Sequence, residues 1–162
     1  FIDYTPDLPE QLARGTIDIV ALPATAANWL ARGAGSRTLF VDETVVIASA
    51  RNKSFSGALT REIYEAARHA MFQRGEGSSS SHEAQLLRDV VLAQRDVVLV
   101  EQFLTLPAIV EASDCLALVQ RRLAERLQAS HDIEIHPPPF PSTPLEIRAY
   151  WAAPAEQDPA HG

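Results

Sequence analysis

Cysteine and positive charge are both scarce in this 162-residue sequence. Cys115 is its single cysteine, which excludes an internal disulfide and fits a reducing compartment such as the cytoplasm. Lysine and arginine, 14 together, are outnumbered by 21 aspartates and glutamates, giving a formal net charge of −7. A nucleic-acid-binding surface needs clustered positive charge, so this balance argues against DNA or RNA as a direct partner.

Long apolar runs are missing as well. No stretch approaches the roughly 20 apolar residues of a membrane helix, and the opening FIDYTPDLPE has no basic segment before an apolar one, so no signal peptide is visible. We therefore expect no membrane partner. The opening reads as a strand and the closing EQDPAHG completes no element, so we expect both ends to be cut from a longer protein.

What the sequence does contain is an alternation of short apolar segments with helical patterns. Strands are predicted at FIDY, TIDIVAL, residues 38–50, HAMFQ, DVVLV, CLALV, IEIH and LEIRAYW. A strand, a helix and a strand imply a crossover and a parallel pair. The alternation therefore predicts an α/β fold with a mostly parallel sheet, whose ligands bind beyond the carboxyl ends of the strands.

Local sequence signals indicate the limits of two of the predicted segments. Asp7 and Glu10 have the spacing of a capping box and Gly15 supplies a left-handed exit, so a short helix is predicted between them. The prolines of residues 137–144 exclude a helix and favour an extended crossing segment.

A loop rich in glycine and serine, within FQRGEGSSSSHEAQLL, raises three alternatives. Ser80 and Glu83 have capping-box spacing, so a helix is predicted to begin at about Ser81. Its first amides lack helical partners and, with nearby hydroxyls, favour a carboxylate or phosphate. A capped, solvated loop without a ligand explains the same residues. A serine nucleophile needs a base such as His82 and an orienting group, and no G-x-S-x-G elbow is present.

No catalytic residue, metal site or cofactor is predicted. Cys115 lies in an apolar segment, where a buried and inert cysteine is usual. His131 and His136 are five residues apart, which places them on opposite faces of a strand and argues against a shared metal.

Polar and aromatic residues follow two predicted strands at their carboxyl ends. Gln102 and Phe103 come after DVVLV, and Thr25 comes after TIDIVAL. Converging strand ends without an acid–base pair indicate binding more than catalysis.

Three segments, in the same order, resemble the effector-binding domain of LysR-type transcriptional regulators, in the subgroup of aromatic-catabolism and nodulation regulators. DLPEQLARGTIDIVAL is similar to the family pattern L…L..G.lDlai. The run from VVLAQ to RRLAERL is similar to a stretch containing VPHF and TDLIATVP.RLA, and HPPPFPSTPLEIRAYW to the subgroup's proline-containing segment and Trp strand.

The resemblance implies two Rossmann-like α/β lobes joined by two crossing strands, as in type II periplasmic binding proteins. Lobe I would hold residues 1–51 and 144–162, and lobe II residues 52–143. The family's first strand and helix and its helix-turn-helix would precede Phe1, so DNA would be bound only through that missing part. Family members are usually homodimers or homotetramers.

The resemblance also implies an effector site, with departures from the subgroup at several positions. The predicted effector-binding residues are Pro23, Ala24, Thr25, Ser79, Ser80, Gln102 and Phe103. Phe103 matches the Phe of VPHF, whereas Gln102 stands in the place of its His and Ser80 about where another His stands. The serine loop then becomes a wall of the effector site, holding an anionic or polar group.

The function expected is therefore small-molecule effector binding and oligomerisation within a cytoplasmic regulator, without enzymatic activity. The effector is expected to be a small organic compound, anionic or aromatic. A solute-binding protein of the periplasmic type with the same two lobes is the main alternative, and a domain that serves only for assembly is a third.

Overall fold

The computed structural model describes residues 7–25, 30, 34–55, 57–72 and 97–152. Its helices are α1 (Leu8–Ala13), α2 (Arg61–Ala66), α3 (Leu106–Glu111) and α4 (Arg121–Leu127). Its strands are β1 (Ile19–Pro23), β2 (Gly35–Asp42), β3 (Thr44–Ser49), β4 (His69–Phe72), β5 (Val97–Val100), β6 (Ala117–Gln120), β7 (Ile133–His136) and β8 (Leu145–Trp151). The chain divides into unit 1, Phe1–Asp42 with Leu145–Gly162, and unit 2, Glu43–Pro144.

In unit 1 the described strands form an antiparallel sheet in the order β1–β8–β2. Alternate residues point to one face, where Val20 and Tyr150 pack with Leu8 and Leu12 of α1. At the far end of the sheet Gly35 lies opposite Trp151, and a Cβ at Gly35 would overlap the indole ring. This glycine is therefore required for the tryptophan to lie against the neighbouring strand.

The ends of α1 agree only in part with the sequence signals. Gly15 adopts the left-handed conformation that was predicted, with φ of +71°. Asp7 is the N-terminal cap residue, but its side chain makes no capping hydrogen bond and instead accepts one from Gln11 Nε2 at 2.9 Å. The predicted side-chain cap at Asp7 is therefore wrong.

The described part of unit 2 contains five strands in two hydrogen-bonded groups. β3 lies between β6 and β7 and is antiparallel to both, whereas β4 and β5 are parallel. The groups are joined because Ala70 N–H donates to the Leu116 carbonyl and Leu116 N–H to the Arg68 carbonyl, both at 2.8 Å. The resulting strand order is β5–β4–β6–β3–β7.

Each face of the unit 2 sheet carries a separate apolar cluster. Cluster 1 contains the buried residues Val45, Ile47, Ala70, Leu106, Val110, Cys115, Ala117, Val119, Ala124 and Ile133. Cluster 2 lies on the other face and contains Val46, Ala48, Leu59, Tyr64, Met71, Leu116 and Leu118. β3 supplies alternate residues to both and is buried along its whole length, as expected for a strand with a neighbour on each side.

The expectation of a mostly parallel sheet is wrong for the described strands, because four of their five ladders are antiparallel. DVVLV was expected to be buried on both faces, yet Leu99 of β5 is exposed, and among the described strands β5 pairs with β4 alone. The units divide after Asp42, whereas the sequence placed a boundary after residue 51, because β3 pairs within unit 2. The predicted strand FIDY and the serine-loop helix lie outside the described residues.

Candidate functional site

One edge of the described unit 2 sheet gathers the ends of its five strands. β4, β5, β6 and β7 run in the same direction and finish there, at Phe72, Val100, Gln120 and His136. β3 runs in the opposite direction and starts there, with Thr44 directly opposite Gln120. This is the carboxyl-terminal edge of the parallel strands, where sheets of this type bind ligands. We refer to it as the carboxyl edge.

Two aromatic rings meet at this edge. Phe103 contacts Phe72 edge to face, with ring centroids 5.7 Å apart and planes at 85°. Phe103 is half-buried against cluster 1, so one side of its ring is anchored in the core. The predicted residue Phe103 thus lies where two neighbouring strands end.

Gln102 is held by the turn that follows β5. The Gln102 carbonyl accepts hydrogen bonds from Thr105 N–H at 3.1 Å and Thr105 Oγ1 at 2.7 Å, which close a 3₁₀ turn over Phe103–Thr105. The Gln102 residue itself is exposed. The backbone is therefore fixed while the amide remains accessible to a ligand.

Sequence reasoning missed Thr44, which the fold brings to the same edge. Thr44 is 2% exposed, and its Oγ1 has no hydrogen-bond partner among the residues that the structure describes. Its neighbour Gln120 is 76 positions away in sequence, so only the strand register reveals the pair. No local signal in the sequence distinguishes Thr44 from other strand threonines.

The charged groups next to Thr44 are paired. Glu43 Oε2 lies 2.8 Å from Arg121 Nε, and the Arg121 N–H donates to the Glu43 carbonyl at 2.8 Å. These contacts tie the start of α4 to the point at which the chain enters unit 2.

A polar groove of about 580 Å³ lies at the opposite edge of the sheet. It is lined by Ser49, Arg51, Asn52, Lys53, Ser54, Glu111, Ala112, Ser113 and Asp114. Glu111 accepts hydrogen bonds from His131 Nδ1 at 2.8 Å and from Asp132 N–H at 3.1 Å, which lower the pKa of its carboxyl group. Arg51 pairs with Asp132 at 3.1 Å. The hydrogen bonds of Glu111 connect α3 to the segment before β7. Glu111 and Arg51, two of the charged residues that line the groove, therefore make contacts that stabilise the fold.

The other predicted effector residues are distributed as follows. Pro23 is the last residue of β1 and pairs with Ile147; Pro23 and Ala24 are half-buried and Thr25 is exposed. These three belong to unit 1, whereas Gln102 and Phe103 belong to unit 2. Ser79 and Ser80 lie outside the described residues. A single site containing all seven stays a prediction.

Cys115, His131 and His136, which the sequence offered as reactive groups, are buried or contact other side chains. Cys115 is buried, as expected, at 1% exposure. His131 is bound to Glu111, whereas His136 stands edge-on to Phe55 with ring centroids 5.2 Å apart. Within the described ranges, no group of three or more His, Cys, Asp or Glu side chains is arranged to hold a metal ion.

Comparison with known proteins assigns the family. The LysR substrate binding domain matches residues 1–161, which is nearly the whole chain. The chain belongs to this family. Among solved structures it is similar to the probable transcriptional regulator PA0477 from Pseudomonas aeruginosa, at 27% identity and a TM-score of 0.77 over 94% of this chain and 49% of that one. The regulatory domain of MexT, a transcriptional activator in the same organism, is 26% identical, with a TM-score of 0.67 over 95% and 74% of the two chains.

Relatives compared by sequence are nodulation and transcriptional regulators. Nodulation protein D of Bradyrhizobium sp. (strain ANU 289) is 26% identical over 98% of this chain and 46% of its own length. The HTH-type transcriptional regulator SyrM of Rhizobium meliloti is 25% identical over 93% of this chain and 45% of its own length. This LysR domain thus spans about half the length of the curated relatives it matches.

These findings confirm the predicted α/β two-lobe fold class and the assignment as a LysR effector-binding domain. The solved structures it resembles are regulators, so the solute-binding alternative gains no support. In the part of the chain that the structure describes, no helix is long and apolar enough to cross a membrane.

Proposed function

We propose that this LysR domain senses a small organic effector for a transcriptional regulator whose DNA-reading part belongs to a longer protein. The family match and the regulator relatives support the proposal. The net charge of −7 agrees with it, because an acidic domain is poorly suited to contact DNA itself.

The effector binds at the carboxyl edge of the unit 2 sheet. The observation that carries this is the Phe72–Phe103 contact, which places an aromatic surface where parallel strands end. An aromatic or apolar part of the effector packs on Phe103, and the exposed amide of Gln102 fixes its orientation. The role of Pro23, Ala24 and Thr25 in effector binding is proposed from the sequence alone. Ser79 and Ser80, proposed from sequence alone, hold an anionic or polar group.

We infer binding rather than catalysis at this edge. Phe72 and Phe103 offer packing, and Gln102 offers hydrogen bonds. The effector shifts the equilibrium between two conformations of the domain, by an amount set by the difference in its affinity for them. The remainder of the regulator responds to that shift. The regulator acts in the cytoplasm as a homodimer or homotetramer.

A thermal-shift screen tests the proposal. A compound present at 100 times its Kd stabilises the native state by about 2.7 kcal/mol, which raises Tm by several degrees. We expect small aromatic acids or phenols to produce such shifts with the wild-type chain, and Phe103→Ala to reduce them. Hits whose shifts persist in full in Phe103→Ala would place the site elsewhere.

A further inference from the structure

Two adjoining cavities lie at the edge of the unit 2 sheet that is opposite the carboxyl edge. The first is the polar groove of about 580 Å³. The second has a volume of about 380 Å³ and shares three lining residues with the groove, Asn52, Ser54 and Asp114. Both volumes fall within the range of about 300–1,000 Å³ that is usual for binding sites. We refer to the second cavity as the apolar pocket.

The apolar pocket is lined by side chains of α2 and of the segment between β3 and α2. Its apolar residues are Phe55, Ile63, Ala66, Ala67 and Leu116. All of them except Ala66 belong to cluster 2 or pack against it, so the core holds the floor of the pocket in place. A leucine-sized side chain that enters the pocket would remove apolar surface from water on both partners, as the central anchors of protein interfaces do.

One positive charge of the polar groove has no opposite charge beside it. The other charged residues around the two cavities are paired, as Arg51–Asp132, Arg68–Asp114 and His131–Glu111. Lys53 also lines the groove and is the single lysine of the chain. Its side chain is exposed and makes no ion pair within the part of the chain that the structure describes. A carboxylate from a partner would supply the missing charge.

Glu62 gives the apolar pocket the opposite preference. It lies in the first turn of α2 and lines the pocket. Hydrogen bonds from its own backbone N–H and from Thr60 lower the pKa of its carboxyl group, which is therefore negatively charged at neutral pH. An acidic group would be repelled beside Glu62 and attracted beside Lys53, so a bound partner has a defined orientation.

We propose that the polar groove and the apolar pocket together bind an extended peptide segment of a partner protein, with an apolar side chain in the pocket and an acidic side chain at Lys53. The polar groove is wide open to solvent, which suits a segment that crosses the surface. Alternate residues of an extended chain point to the same side, about 7 Å apart, so the pattern Asp-x-Leu reaches both cavities. A segment with one acid is favoured over a strongly acidic one, because the net charge of −7 repels the latter.

NMR titration of the isotope-labelled chain with synthetic peptides tests the inference. The probe is acetyl-Ser-Asp-Ala-Leu-Ser-amide, and its matched controls replace Asp by Asn, Asp by Lys, or Leu by Ser. We expect the probe to shift the amide signals of Lys53, Ser54 and Ala67. The Asn control should bind about two- to fivefold more weakly, as an exposed ion pair allows. The control without leucine should bind at least about tenfold more weakly.

Variants of the chain assign the two contacts. Lys53→Gln should bind the Asp and Asn peptides equally, whereas Lys53→Arg, which keeps the charge, should retain the preference for Asp. Arg37→Gln removes an exposed charge in unit 1 and is the matched control, which should retain the preference too. Ala66→Leu fills the pocket from an exposed position of α2 and should reduce the advantage of leucine over serine in the peptide.

The results that overturn this inference differ from those that overturn the effector site. A preference for Asp that persists in Lys53→Gln, tighter binding of the Lys peptide, or no shifts at millimolar probe would each overturn the peptide site. Shifts confined to Phe72, Gln102 and Phe103 would do the same, because the peptide would then occupy the carboxyl edge. Phe103→Ala should leave peptide binding unchanged, and Lys53→Gln should leave the rise in Tm caused by effector compounds unchanged.

Discussion

The ring of Phe103 meets the ring of Phe72 edge to face, with centroids 5.7 Å apart, and joins the ends of two parallel strands. One side of Phe103 is packed on cluster 1. A ligand that packs on the other side would find a surface already held in place, which lowers the entropy lost on binding.

Phe103→Ala should weaken ligand binding more than it weakens the fold. Phe103 is only half-buried, so we expect a loss of about 1–2 kcal/mol in the free energy of unfolding, less than for a fully buried phenylalanine. Urea denaturation checks this value, and calorimetry with a hit compound checks affinity. Leu104→Ala is the control, because Leu104 is adjacent and 67% exposed, and should change neither.

Gly35→Ala should destabilise the protein by about 1–3 kcal/mol, because the new Cβ would lie 3.0 Å from Trp151 Cδ1 and closer still to Nε1 and Cε2. Trp151→Leu should remove most of this cost when the two changes are combined. Gly15→Ala is the control: it costs about 1 kcal/mol through its positive φ and should cost the same with or without Trp151. An equal cost for Gly35→Ala in both backgrounds would contradict the proposed overlap.

His69 should make the fold acid-sensitive. It is fully buried, with Nε2 donating to the Tyr64 carbonyl at 2.8 Å, and burial lowers the pKa of its imidazole below the ordinary 6.5. The unfolded chain therefore binds the proton more readily than the folded one. The contribution of His69 to the free energy of unfolding is fully present above about pH 6.5, and it falls by about 1 kcal/mol per pH unit as the pH drops below that value. Unfolding at pH 7.5 and 5.5 measures the slope. His69→Gln should flatten it, and an unchanged slope would assign the effect to other groups.

Glu111 should stabilise unit 2 through His131 and the Asp132 amide. These hydrogen bonds lower the pKa of Glu111, so its contribution is present above about pH 4.5 and is lost as pH falls through the lowered folded value. Glu111→Gln should lower Tm by a few degrees at pH 7, with a smaller difference at pH 3. Glu125→Gln is the control, because the ion pair described for Glu125 is an exposed one with Arg121, at 4.0 Å. Equal Tm values for the two variants would contradict a role for Glu111.

Local features of the fold were predictable because they depend on neighbouring residues. Gly15 ends α1 as its conformational freedom predicts, whereas Asp7, also a local signal, does not cap it. Strand direction was not predictable, because β8 returns more than 100 residues after β2 to pair antiparallel with it. Alternating helices and strands carry no information about so distant a partner.

Some features of the candidate site could likewise be proposed from local sequence signals, and others could not. Phe103 and Gln102 could be proposed from the sequence because they follow an apolar strand directly, and strand ends are local signals; their role as effector-binding residues stays a prediction. The burial of Thr44 and its position opposite Gln120 were not predictable from local signals. Those relationships exist only once the sheet has formed.

The most direct test of the effector site is an NMR titration of the isotope-labelled wild-type chain with a compound that raises its Tm. We predict that amide shifts change most at the carboxyl edge of unit 2, at Phe72, Gln102 and Phe103. Changes confined to the opposite groove, at Ser49, Arg51, Glu111 and Asp114, would contradict it.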